Sequence, residues 1–597
     1  MAVSWLNLLV FVAYAHNTLG PDPRPDTSGT MTSMSTNFFN EHEQKLHNAL
    51  EAIQNRGFFS AYPEIPSGKI YGETAKASGQ ETFESYLGST FELNQGGTEG
   101  TLGNEVSPYG LPIQTKYPKA NIDSVVDSMA TACPAWRNAT VETRVGCALE
   151  ILHRLNKRSF EMAFAVMHTT GQGFMMSFQA GGPHAQDRGL EAIAYAYKAM
   201  KDCPTEAIWR KQVGRDDFIT LNKIFKIVPR GIGLVIGCST FPTWNTYPGL
   251  FASLVTGNAV IVKPHPGAIL PLAITVAICQ DVLVEAGFDA NLVTLVADTV
   301  ENPITKILVQ RPEIAIIDYT GGSAFGDWVE ENAGKAIVYT EKAGVNSVII
   351  DSVEQLRAVT SNLAFSLCLY SGQMCTTPQN IFIPKDGVKT SDGHATFEEV
   401  AGAIVKGVDW MLSDQGRANE VLGAIQNQTT ADRIDSAEGE LLREGNSIEH
   451  AMFGSARTRS IKIVKLDASQ RDVFEQEMFG PLVYIVATDS TQQSIDLASS
   501  IASEKGAISC GVYSTNEEVL ETAIEAMSLA GVPVSCNLLG NIWVNQSAAF
   551  SDFHVSGANP SGNATLSDSA FVVGRFNVVQ CRTFVPEPQP KPQKVEA

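Results

Sequence analysis

Between residues 231 and 321 short apolar runs alternate with a longer, helix-length apolar run, and this pattern constrains the fold more than any other feature of the chain. The stretches 233–237 (GLVIG) and 258–264 (NAVIVKP) read as buried strands, 271–287 as a helix, and 292–297 (LVTLVA) and 314–321 (IAIIDYTG) as further strands. Strands separated by helices build βαβ units, and each crossover returns the chain to the same end of the sheet, so the strands run parallel. A second series of the same kind runs from about Val338 to Phe553. The fold class expected is therefore α/β. Upstream, Asn37 to Arg56 reads as an amphipathic helix, and Gly- and Pro-rich connections extend to about Tyr117. Helical patterns follow to about Asp202, including one continuous run over 142–168.

Composition narrows the partners. A chain of 597 residues with 44% hydrophobic and 18% charged residues needs two or more packed cores. Its net charge of −21 opposes general binding to nucleic acid or to anionic membranes. Ten cysteines stand without a CxxC pair, so neither a disulfide framework nor a metal centre is expected, and reduced thiols fit the cytoplasm. The apolar run 5–15 ends in a small-x-small pattern but is too short to span a bilayer. It reads as a minor case for secretion, or else as a non-native extension with Met31 or Met34 as the start. Residues 1–34 and the Pro-rich tail are expected outside the fold.

Five sites carry chemistry. In Ser371-Gly372-Gln373-Met374-Cys375-Thr376-Thr377, small residues let a substrate approach one thiol closely, and the site must lower that thiol's pKa or supply a base. Glu341 ends a strand-like run and suits a base for water; its plain alternative is a solvated carboxylate paired with Lys342. Trp244-Asn245 follows a strand, and the Asn245 amide can bind an oxyanion or simply make an Asx turn. Lys263 ends NAVIVKP, where an ammonium can meet a ribose or a phosphate. Gly321 to Gly326 opens a helical stretch, where backbone N–H groups suit a pyrophosphate. Each is weak alone. His168, His184, His265 and His554 lack metal-ligand clustering and read mostly as structural.

In this order Trp244-Asn245, Lys263, the Thr320 to Gly326 turn, Glu341, Gly372-Gln373-Met374-Cys375 and Glu477-Met478-Phe479-Gly480-Pro481 resemble the landmarks of the aldehyde dehydrogenase superfamily. The segments HTTGQGFMMSFQAGGPHAQDRGLEAIAYAY, STFPTWNTYPGLFASL, LYSGQMCTTPQNIF and VNQSAAFSDFH are similar to its phenylacetic acid degradation branch, over about Met34 to Arg582. The resemblance implies a Rossmann-type cofactor domain with part of an oligomerisation arm (35–338), an α/β catalytic domain (339–553) and a C-terminal arm and tail (554–597). It implies Cys375 as nucleophile, Asn245 with the Cys375 N–H as oxyanion donors, and Glu341 as general base. Lys263 and Glu477 would bind riboses, with Phe479 beside the nicotinamide, Gly321, Gly322, Ser323 and Gly326 near the pyrophosphate, and Trp244 among the cofactor residues.

Departures from the family pattern refine this. The link from Asn245 to Lys263 is shorter than usual, so the helix between them must be trimmed, and Gly322 replaces a common Ser or Thr. Pro266 stands where many NAD-preferring relatives carry a Glu. Without that carboxylate a 2′-phosphate meets no repulsion and has Lys263 and His265 nearby, which favours NADP while leaving NAD possible. Glu341 favours water over coenzyme A as acyl acceptor. The implied substrate is the ring-opened coenzyme A semialdehyde of phenylacetate breakdown. The rivals are a broad dehydrogenase of free aldehydes, or a silent protein reusing the fold for binding. A homodimer or larger homo-oligomer is expected, with no hydratase domain after Arg582.

Overall fold

The computed structural model describes residues 32–586; the apolar run 5–15 and the tail beyond 586 lie outside the described residues. Five parallel strands form the first sheet, in the spatial order Val293–Leu295, Ala259–Lys263, Ile232–Ile236, Ile314–Gly321 and Ile337–Lys342. In chain order this is 3-2-1-4-5. The order reverses between Ile232–Ile236 and Ile314–Gly321, and loops leaving those two strands diverge and open a crevice at their carboxyl ends. Every residue of Ile232–Ile236 and Ala259–Lys263 is buried, which is why these strands read as unbroken apolar runs. Helices Pro242–Val255 and Leu270–Glu285 pack on the sheet.

The second sheet has seven strands, ordered Glu440–Arg443, Lys462–Asp467, Leu482–Thr488, Asn380–Pro384, Ser347–Ile350, Cys510–Tyr513 and Val534–Cys536. All its pairs are parallel except the first. A third, antiparallel sheet joins Glu206–Gln212 and Phe218–Pro229 to Phe576–Val585. Its apolar side chains Ile208, Ile224, Val578, Val579 and Phe584 are exposed. Among the described residues no helix is long and apolar enough to cross a membrane.

Four sequence expectations change. The connections before Tyr117 contain a helix, Ala75–Tyr86, which buries only Phe83 and so lacks a readable apolar stripe. The run 142–168 is two helices, Val141–Lys157 and Ser159–Thr170; the Ser159 hydroxyl donates to the Asn156 carbonyl at 2.7 Å and takes a bond the first helix end leaves open. The division at 338/339 cuts the strand Ile337–Lys342, which pairs with Ile314–Gly321, so the second unit's sheet starts at Ser347. Finally, residues 554–565, expected in an arm, pack along the strand: Lys342 N–H donates to Ser561 O at 2.6 Å, and Thr340 N–H to Asn563 Oδ1 at 2.8 Å, laying this segment along the crevice.

The last segment is locked to the first sheet by one buried pair. Arg575 Nη1 and Nη2 donate to the Asp318 carboxylate at 2.8 and 2.6 Å, and Nη1 also donates to Ser253 Oγ at 2.7 Å. The Arg575 side chain is 0% exposed. Removing the guanidinium strands a buried carboxylate, so Arg575→Met should lower stability by about 3–5 kcal/mol, seen as a lower urea midpoint.

Candidate active site

A cavity of about 510 Å³ lies at the crevice, lined by both units: Asn245, Lys263, Gly321 and Glu341 from the first, and Cys375, Glu477 and Phe479 from the second. The helix Leu356–Cys368 brings the chain to the thiol and ends in an unusual turn. Tyr370, Ser371 and Gly372 all have left-handed φ, at 54°, 50° and 66°. Two non-glycine residues there carry strain of order 1–2 kcal/mol each. Side-chain anchors hold them: Tyr370 OH donates to Thr170 O at 2.6 Å, and Ser371 Oγ donates to Gly423 O at 2.9 Å. At Gly372 a Cβ would stand 2.5 Å from the Gly480 carbonyl, so only glycine lets the thiol turn sit against the Glu477–Pro481 loop. Asn346 then fixes the exit, with Nδ2 donating to Cys375 O at 2.7 Å and to Thr377 O at 3.1 Å.

Glu341 is the penultimate residue of its strand, not the residue after it, and is 1% exposed. Alternation along the strand separates it from Lys342, which instead pairs with Asp327 at 2.7 Å and Glu330 at 3.2 Å. Glu341 Oε2 accepts from Asn245 Nδ2 at 2.8 Å. Asn245 lies in the first turn of helix Pro242–Val255, so no Asx turn forms there. Glu341 Oε1 meets His554 Nε2 at 2.8 Å, and that nitrogen is 3.9 Å from Cys375 Sγ. A ligand atom from each of Glu341, Cys375 and His554 lies within 4.8 Å of the others. His554, read from the sequence as structural, thus stands at the cleft. No sequence signal joins it to Glu341, since the two segments meet through tertiary contacts, the antiparallel bridge between Glu341 and Gly562 and the bonds of Thr340 and Lys342 to Asn563 and Ser561.

Burial, and then the charge of Glu341, push the Cys375 thiol well above its ordinary range. Both effects favour the protonated thiol, and a Glu341 carboxylate oxygen lies within 4.8 Å of the sulfur.

The cofactor residues divide. Lys263, His265, Pro266, Gly321, Gly322, Glu477 and Phe479 line the cavity. Trp244, Ser323 and Gly326 do not. Trp244 packs edge-on against the His554 ring at 4.5 Å. Ser323 Oγ turns back to Ala343 O at 3.4 Å, and a Cβ on Gly326 would strike the Lys342 stem at 2.5 Å, so that glycine seats a helix on its strand. Lys263 is not an open ammonium: its Nζ is 2.7 Å from Asp298 Oδ1, with both side chains nearly fully buried. The sequence reading also missed Arg433, which lines the cavity and donates to Phe479 O at 3.1 Å. Burial raises the Glu477 carboxyl to about 7, against the opposing pull of Arg433.

Comparison with known proteins agrees with this constellation. The aldehyde dehydrogenase family model matches residues 113–570. The crystal structure of an NAD-dependent aldehyde dehydrogenase from Burkholderia multivorans is 53% identical, with a TM-score of 0.91, over 92% of this chain and 99% of that one. An N-succinylglutamate 5-semialdehyde dehydrogenase of Burkholderia multivorans is 24% identical over 392 residues, 64% of this chain and 75% of its own length. A 1-pyrroline-5-carboxylate dehydrogenase from Thermus with bound NAD shares the fold at 18% identity, with a TM-score of 0.68, over 88% of this chain and 99% of that one. With thiol, carboxylate and amide gathered in one cleft between the two large sheets and the family model matched over residues 113–570, the chain belongs to the aldehyde dehydrogenase family. It is an oxidoreductase.

Because the resting thiol is held protonated, alkylation of Cys375 in the free enzyme should keep rising with pH, about tenfold per unit, beyond the ordinary thiol range. Mass spectrometry of the peptide carrying Cys375 reads this. A plateau at or below neutral pH would contradict the electrostatics described here.

Proposed function

We propose that the protein oxidises an aldehyde to a carboxylic acid through a covalent adduct on Cys375, with a nicotinamide dinucleotide in the same cleft. The juxtaposition of Cys375, Glu341 and Asn245 on one cavity carries this reading. The opposite wall suits the dinucleotide. An added Cβ at Gly322 would meet open space, so bare backbone faces the cavity, while Phe479 offers an apolar flat face and Glu477 and Lys263 offer polar groups for riboses.

The Cys375 proton leaves to solvent, and the sulfur adds to the aldehyde carbon. Charge gathers on the aldehyde oxygen, where the second N–H of the Asn245 amide can meet it; the first is spent on Glu341. When bound, the nicotinamide ring supplies the acceptor for the hydride that leaves the thiohemiacetal carbon. A thioester on Cys375 remains. Glu341 then takes a proton from water, the water oxygen attacks the thioester, and the acid departs as that proton passes from Glu341 to restore the thiol. Dinucleotide reduction with a panel of aldehydes tests the reaction. Cys375→Ala should abolish it, whereas Glu341→Gln should cut steady-state turnover by about 10²–10⁴-fold and let acyl-enzyme accumulate. Normal turnover in Glu341→Gln would remove it as the base.

For substrate we propose a semialdehyde, in particular the ring-opened coenzyme A semialdehyde of phenylacetate breakdown. The branch-like segments around Cys375, Asn245 and His554 support this, as do relatives whose names specify a semialdehyde. Its kcat/KM should exceed those of free aromatic or aliphatic aldehydes. We propose cytoplasmic action, and subunit pairing through the exposed antiparallel sheet, whose apolar side chains gain by being covered.

For cofactor we propose that both dinucleotides are accepted. Pro266 leaves no carboxylate to repel a 2′-phosphate, which keeps NADP in play. Asp298 already balances the Lys263 charge, so the attraction for that phosphate is weaker than an open lysine would give. Pro266→Glu should therefore shift the NADP-to-NAD ratio of kcat/KM toward NAD. An unaltered ratio would place the adenosine ribose elsewhere.

A further inference from the structure

We propose that His554 is the positioning residue of the general base: it anchors the Glu341 carboxylate independently of Asn245, so the base stays aimed while the amide serves the oxyanion. This rests on the oxidation reading above.

The carboxylate has two anchors, and they are not equivalent. Asn245 Nδ2 holds Oε2 at 2.8 Å, but the same amide is the oxyanion donor. An amide that holds the carboxylate with one N–H and the oxyanion with the other cannot fix both alone, so Glu341 needs a second partner to stay buried and oriented. Lys342 points elsewhere, to Asp327 and Glu330. His554 Nε2, 2.8 Å from Oε1, is that partner; its side chain and that of Glu341 are 2% and 1% exposed.

The surroundings also select the imidazole tautomer. Arg188 Nη2 donates to Ser547 Oγ at 2.7 Å, and Ser547 Oγ lies 3.3 Å from His554 Nδ1. With the guanidinium acting as donor to Ser547, the serine's own proton is free for Nδ1, which leaves Nε2–H to donate to Glu341. Arg188 is itself held by Glu191 at 2.7 Å and lies over the Trp244 ring at 5.2 Å. Trp244 in turn meets the imidazole edge-on at 4.5 Å, fixing the plane of the ring. The backbone is clamped as well: Thr565 Oγ1 donates to His554 O at 2.9 Å, and His554 N–H donates to Ser567 Oγ at 3.3 Å. The next residue, Val555, is forced to φ 60°, a region β-branched residues rarely enter, and such strain persists where neighbours over-determine it.

His554→Phe keeps a ring against Trp244 but removes the N–H; His554→Gln restores an amide donor. In rapid mixing with aldehyde and dinucleotide, His554→Phe should retain the first burst of reduction but lose steady-state turnover by roughly 10²-fold, the scale of a misplaced catalytic group. Intact-mass measurement should show acyl-enzyme, and His554→Gln should recover most of the turnover. Wild-type turnover in His554→Phe, or equal loss of burst and steady state in both variants, would overturn the proposal. If His554→Phe does not fold, Ser547→Ala decides: it should slow deacylation selectively, and an unchanged rate would refute the tautomer argument and the proposal with it. A wild-type enzyme giving no burst with any aldehyde would overturn the oxidation reading and this inference together.

Discussion

The site depends on a buried carboxylate that must remain a carboxylate. Taking Glu341 out of water costs several kcal/mol unless protein groups replace the lost hydration. Its two oxygens meet an amide on helix Pro242–Val255 and an imidazole from the segment that runs back along the strand Ile337–Lys342. The same charge, with burial, raises the thiol beside it, so carboxylate and thiol are coupled. Such coupling requires atoms from both units to be fixed within ångströms, which explains why the architecture around them is rigid and strained where it is.

That rigidity has identifiable sources. The turn before Cys375 keeps three consecutive residues in left-handed conformations, and backbone carbonyls from three separate segments accept bonds from Tyr370 and Ser371 to hold it. Gly372 touches the Gly480 carbonyl, tying the thiol turn to the loop that presents Glu477 and Phe479. Nucleophile and cofactor wall therefore share one backbone contact. Across the cleft, the buried Arg575–Asp318 pair fastens the last segment to the first sheet, and that segment carries His554 toward Glu341.

Much of this was legible beforehand, for physical reasons. Strands buried on both faces leave continuous apolar runs, so 232–236 and 259–263 stood out. The Ala75–Tyr86 helix did not, because one buried residue makes no stripe. Cys375, Glu341 and Asn245 announced themselves through their neighbours: small residues around the thiol, and strand ends before the carboxylate and the amide. Trp244 and Ser323 stand in the same motifs, yet their side chains turn to His554 and to the Ala343 carbonyl, because a motif fixes spacing along the chain and not the direction in which each side chain points. Lys263 was placed at the cavity, but its partner Asp298 lies on a different loop, so its neutralised charge could not be foreseen.

The sequence by itself determined the α/β class, the mainly parallel sheets and the three groups that meet at the cleft, since hydrophobic period and local residue type act over a few neighbouring positions. Only the tertiary structure decided that burial and Glu341 raise the thiol, that the Asn245 amide meets Glu341 and that His554 stands behind Glu341. Those properties arise from desolvation and from contacts between segments 96 and 213 residues apart, and no local pattern encodes a distance through space.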